Sequence, residues 1–161
     1  MLNIPEAPNE MSGQNVLIRL IDSIKFRFQI ATHGLEEKDF AFKPSDQGMT
    51  LENLLKHIYH LQKGILSAYS KMELSKTDPL PEQYVEATIN ILDQTRAQLL
   101  TMSDQDLLDA SFHKYSSWHI INGPLADTLT HIGQVNMMRR MFGNPTPKAS
   151  VLAGTFDPQK Q

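Results

Sequence analysis

Four segments of this chain repeat apolar side chains every three or four residues, and no segment of comparable length alternates with a period of two. That pattern leaves few folds open, because each helix carries one apolar stripe that must be covered, and four such stripes cover one another in a bundle. The first segment runs from about Ser12 to His33, with Val16, Leu17, Leu20, Ile21, Ile24 and Phe28 at core spacing, and halts at Gly34. The second opens at Thr50, an N-cap with Glu52 in its first turn. It presents Leu51, Leu54, Leu55, Ile58, Leu61 and Ile65 on one face and is expected to end near Lys71. Val85, Ile89, Leu92, Arg96 and Leu99 mark a third helix that closes around Met102, with Ser103 capping one further turn through Leu108. Pro124 at a first helical position launches the fourth, which runs to about Phe142 before Gly143-Asn144-Pro145 stops it. The expected class is all-α, a four-helix bundle. The long connection "LEEKDFAFKPSDQGM" leaves room for a crossover in place of a strict up-and-down order. "DASFHKYSSWHIIN" reads as an irregular link, and the tail from about residue 144 reads as a loop-like end, surface-wrapping or mobile.

A chain of 161 residues with 40% hydrophobic content suits a single domain over 1–161, with a short N-terminal lead. The formal charge is −3 and the 15 basic residues are spread out, with Arg139-Arg140 the only adjacent pair. Neither nucleic acid nor an anionic membrane is therefore an expected partner. No apolar run approaches the roughly 18 residues of a spanning helix. The opening "MLNIPEAPNE" lacks the basic-then-apolar order of a signal peptide, so a cytoplasmic location is expected. The sequence contains no cysteine, which removes disulfides, thiolate ligands and a cysteine nucleophile from consideration. Any metal ligands must come from His, Asp and Glu.

The stretch "NGPLADTLTHIGQV" sets Asp127 and His131 one turn apart on a single helical face, since four residues turn through about 400°. Asp127, His131, Gln134 and Met138 form a stripe bordering Val135 and Phe142 of the expected core. A buried, ionised Asp there needs a cation or several donors. On the second helix His57 falls just beyond the edge of the apolar arc, beside Leu61 and Gly64, whereas His60 comes out nearly opposite the arc. A metal shared by His57, Asp127 and His131 meets the requirement. A hydrogen-bonded boundary His, and an Asp favoured by the helix dipole in a first turn, meet it as well. Gln134 is a candidate for orienting a ligand imidazole or a water. His60, Tyr115, Trp118 and His119 are candidates for the mouth of a pocket, with Trp118 as an apolar wall, and each also reads as ordinary packing or exposure. The Met137-Met138 and Met141-Phe142 pairs read as fillers of a core or of a dimer interface. Phe26, Ile30 and Tyr59 fall outside the tidy arcs and suggest a homodimer.

The segments "TLENLLKHIYH" and "DTLTHIGQV", with "WHIINGP" before the last helix and "GNPTPKASVLAG" after it, resemble the DinB/YfiT-like superfamily of metal-dependent enzymes. The resemblance implies a four-helix bundle with one ligand on its second helix, matched by His57, and two ligands one turn apart on a later helix. His131 matches the second of these. Asp127 stands where the family usually carries His, which supplies a harder oxygen donor. The implied cofactor is a divalent ion, Zn, Ni, Fe or Mn. Two imidazoles and one carboxylate leave coordination positions open, as in catalytic rather than structural sites. The implied activity is that of a hydrolase or a thiol S-transferase acting on a small molecule through a metal-bound water or thiolate. A low-molecular-weight thiol would have to come as a cosubstrate. The competing function is a noncatalytic helical bundle that binds a metal or small ligand.

Overall fold

A computed structural model of the protein describes residues 1–70 and 72–159. Lys71, where the second helix was expected to end, lies outside the described residues. The chain is mostly helical, with a few two-residue strands. Its long helices are α1 (Gly13–Thr32), α3 (Leu51–Tyr69), α4 (Tyr84–Leu99) and α7 (Ala126–Met141). Short helices lie between them: α2 (Glu37–Phe40), α5 (Asp104–Asp109) and α6 (Ser117–Ile120). No described helix is long and apolar enough to cross a membrane.

The helix starts follow from side-chain capping. Ser12 Oγ accepts from Asn15 N, Thr50 Oγ1 accepts from Asn53 N, and Ser103 and Asp106 satisfy each other's backbone amides. Asp104 adds a cap from outside, its carboxylate accepting from the amides of Gly13 and Gln14 and so fastening α5 to the start of α1. Both α1 and α3 pack against α4 and α7. The shared core draws Leu17, Ile21, Ile24 and Phe28 from α1, Leu51, Leu55, Ile58 and Ile65 from α3, Leu92 and Leu99 from α4, and Val135 and Met138 from α7. On α4 the buried face also holds Thr88 and Thr95, whose hydroxyls donate to the carbonyls of Tyr84 and Ile91 four residues back. Val85 and Ile89 are only partly covered.

Several expectations change. The last helical run does not start at Pro124: it starts at Ser117, passes through a π-helical turn over Ile121–Leu125, and continues as α7. The wider turn, in which Ala126 N–H donates to Ile121 O, admits a proline that an α-helical interior would reject. Val16 is exposed rather than core. The tail is loop-like over its described residues apart from β4 (Thr155–Phe156), which pairs antiparallel with β1 (Leu2–Asn3) and buries Phe156 against Phe26 and Ile30. Those two residues, which suggested a dimer, are therefore covered by the chain's own end. Tyr59 is covered as well, beside Tyr84.

The link between α5 and α6 also gains structure. β2 (Ser111–Phe112) and β3 (Tyr115–Ser116) form a small hairpin whose turn places His113 at φ 55°, in the left-handed region.

At the far end of α7, Arg139 is fully buried. Its Nη1 donates to the carbonyls of Ala31 and His33 at the end of α1, and its Nε and Nη2 donate to the carbonyl and side-chain oxygens of Asn144. The Asn144 amide in turn donates to Gly34 O and Asp39 Oδ2. One guanidinium thus joins α7, the end of α1 and the α2 connector.

Candidate metal site

α3 and α7 pack side by side, and the seam between them brings together His57, Asp127 and His131. Each can offer one ligand atom such that all three atoms lie within 4.8 Å of one another. His131 Nε2 stands 3.3 Å from Asp127 Oδ2, and His57 Nε2 stands 4.0 Å from the same oxygen. The two imidazole rings meet edge to face, with centroids 4.6 Å apart. Ligand bonds of roughly 2.0–2.2 Å set tetrahedral donors about 3.4 Å apart. The His131–Asp127 pair already has that spacing, and the His57–Asp127 distance exceeds it by about half an ångström.

The donor chemistry fits a divalent cation. His131 Nδ1 lies 2.8 Å from Gln134 Oε1, and with Nδ1–H donating to that oxygen a neutral ring turns its Nε2 lone pair towards the carboxylate. A lone pair opposite a carboxylate at 3.3 Å is repulsive unless a proton or a cation lies between them. Among the described residues Asp127 accepts no backbone amide, and its charged contacts are the two imidazoles alone. Burial lowers the pKa of His57, the neighbouring His131 and His60 lower it further, and Asp127 opposes them. These effects favour the neutral form that a metal requires.

One part of the expectation is corrected. The Asp127 side chain is 49% exposed, so it bears no large desolvation cost that a cation must relieve. The case for a metal therefore rests on convergence of donors and not on burial. His131 is the covered member, at 15%, and His57 is open at 41%. The favourable first-turn position of Asp127 is weakened as well, since the helical run begins ten residues earlier, at Ser117.

Two cavities involve residues of the same helices, and one of them is lined by a member of the cluster. One, of about 480 Å³, is lined by His60, Leu61, Gly64, Tyr115, His119 and Pro124, the last being one turn before Asp127. The other, of about 400 Å³, is lined by His131 and Gln134 with Met49, Leu54, Met138 and Met141. His60, Tyr115 and His119 thus line one pocket, which none of the three cluster residues lines. His60 also contacts Asp78 Oδ1 at 2.9 Å, and Lys56 holds the other oxygen at 3.2 Å. These bonds from His60 and Lys56 lower the pKa of Asp78. Asp78 sits in the loop "SKTDPLPEQ", whose course no periodicity reveals. His119 Nδ1 is paired with Ser116 Oγ. Trp118 does not join this pocket: 69% exposed, it lines a different cavity, of about 540 Å³, with Val16, Leu17 and Leu107.

No family model, curated protein or solved structure matches this chain.

Proposed function

We propose that this protein is a metal-dependent enzyme of the DinB-like type, a four-helix bundle that acts on a small molecule as a hydrolase or thiol S-transferase. The observation that carries the proposal is the convergence of His57, Asp127 and His131 from two separate helices, with a cavity that His131 itself lines. The packing supports the bundle: α1 and α3 each contact α4 and α7, as four helices around a shared core would, and a crossover over 33–50 fits those contacts.

In this arrangement the two Nε2 atoms and the Asp127 carboxylate would hold a divalent ion. Such an ion supplies Lewis acidity that favours the deprotonated form of a water or thiol. Gln134 fixes the His131 tautomer and ring angle through Nδ1. Three protein donors at a half-exposed site leave room for a small molecule to approach. The Met49, Met138 and Met141 side chains give the adjoining cavity an apolar, adaptable wall. With no cysteine in the chain, a thiol can enter the reaction only as a second substrate.

The experiment has two arms. Elemental analysis of protein purified without a histidine tag is expected to give close to one equivalent of a divalent metal, lost in His131→Ala. Incubation with electrophiles, with and without small thiols, is expected to show turnover that His57→Ala abolishes. Metal binding without any turnover would refute the enzymatic proposal and leave a binding module. Full stoichiometric binding by His131→Ala would refute the ligand set.

A further inference from the structure

On the face of α7 turned away from His57, a cavity of about 560 Å³ lies between α1, α7 and the segment that follows α7. Arg27 from α1, Arg140 from α7 and Lys148 from the tail line it together. Among the described residues no carboxylate lines this cavity, and none of the three cations is paired with one. In a chain with more acidic than basic residues, three unpaired cations from three separate elements are a local reversal of charge. All three are exposed residues, so solvent moderates their mutual repulsion while leaving them free to meet an anion.

A second observation concerns the neutral donors. Thr146 Oγ1 donates to Asn136 Oδ1, which orients the Asn136 amide and leaves its nitrogen without a partner among the described residues. Between these polar groups the lining is apolar, with Ile30, Leu129, Ile132 and Val151. A Cβ added at Gly133, which also lines the cavity, would meet nothing within 4 Å.

We infer that this cavity binds a small organic oxyanion, a phosphate or carboxylate attached to an apolar body. Arg27, Arg140 and Lys148 hold the anionic head, guanidinium forks being suited to bidentate contact with either oxyanion. The Asn136 amide donates a neutral hydrogen bond, and the apolar body lies over Leu129 and Ile132. The recess suits a small molecule better than a nucleic acid, which would require a basic surface extending beyond one cavity. This inference is independent of the metal proposal, because the two sites lie on opposite faces of α7.

The test titrates the full chain, in the presence of a chelator, with phenyl phosphate, benzoate and the neutral benzamide, followed by calorimetry and by backbone amide shifts. One or both anions are expected to bind, to shift the amides of Gly133, Asn136 and Lys148, and to weaken as salt is raised. The two anion arms distinguish a phosphate from a carboxylate ligand. Arg27→Gln combined with Arg140→Gln is expected to weaken binding roughly tenfold or more. Gly133→Leu is expected to block the cavity while the thermal transition and helical circular dichroism persist. His131→Ala is expected to bind the anions as the parent does, which separates this site from the metal cluster. Three results would overturn the inference: neither anion binding at millimolar concentration, benzamide binding as tightly as the anions, or the double Arg variant binding like the parent.

Discussion

Replacing Arg139 by Met removes a buried cation and four hydrogen bonds while keeping an apolar stem of similar length. The magnitude follows from which acceptors can find water afterwards. His33 is exposed and Asn144 partly so, and their oxygens can be rehydrated at a net cost of about 1 kcal/mol each. The carbonyl of Ala31, a fully buried residue at the end of α1, is left without a donor, which costs about 1–3 kcal/mol. Relief of the guanidinium's own desolvation, which lowers its pKa in the fold, offsets part of this. The net loss is about 3 kcal/mol. With a urea m-value of about 2 kcal/mol/M for a chain of this size, the midpoint should fall by about 1.5 M without change of slope. Urea unfolding of metal-free protein, followed by circular dichroism, measures this directly. A midpoint shift below about 0.5 M would refute the reasoning, since it would mean that desolvation of the ion cancels its hydrogen bonds. Arg139→Lys, which keeps the charge but not the planar fork, is expected to lose at least half as much.

Other consequences follow from the same contacts. Gln134→Ala removes the partner of His131 Nδ1 and is expected to weaken metal binding about 10- to 100-fold in a competitive chelator titration, with the apo protein's Tm unchanged. Phe156→Ala opens the small cluster over Phe26 and Ile30; a loss of about 3 kcal/mol and concentration-dependent association in sedimentation are expected. The lowered pKa of His57 means that the unfolded chain holds a proton that the native state has released. Stability should therefore be complete above the ordinary imidazole range and decline as pH falls through it towards the depressed native value. Thermal melts of the metal-free protein between pH 8 and pH 5 should show this decline, and it should be smaller in His57→Gln. An equal decline in both proteins would contradict the assignment.

The long helices and the one-turn spacing of Asp127 and His131 were legible because both depend on helical periodicity, whereas the pairing of His57 with them across two helices was implied by the resemblance and not by any period. One turn separates Asp127 from His131, and the winding of α3 put His57 at the edge of its apolar arc. Elements held by long-range contacts were not legible. Arg139 sits beside Arg140 in a helix whose apolar pattern is weak, so its burial depends on the carbonyls of α1, a hundred residues earlier. Phe156 belongs to a two-residue strand with no period of its own, and its partner is the other end of the chain. Pro124 gave a true signal with the wrong consequence: it resembles a first helical residue, yet a π turn carries it inside a run that began at Ser117. The exposure of Asp127 was out of reach for a related reason, since a stripe beside the core can lie under a neighbouring helix or at its open edge.

The most direct measurement is anomalous diffraction from crystals of the metal-loaded protein, collected on either side of the absorption edge of the ion. The predicted result is one peak between α3 and α7, about 2.0–2.2 Å from Nε2 of His57, Nε2 of His131 and an Asp127 oxygen if the ion is zinc. No peak there, or a peak whose ligands exclude either histidine, would contradict the account.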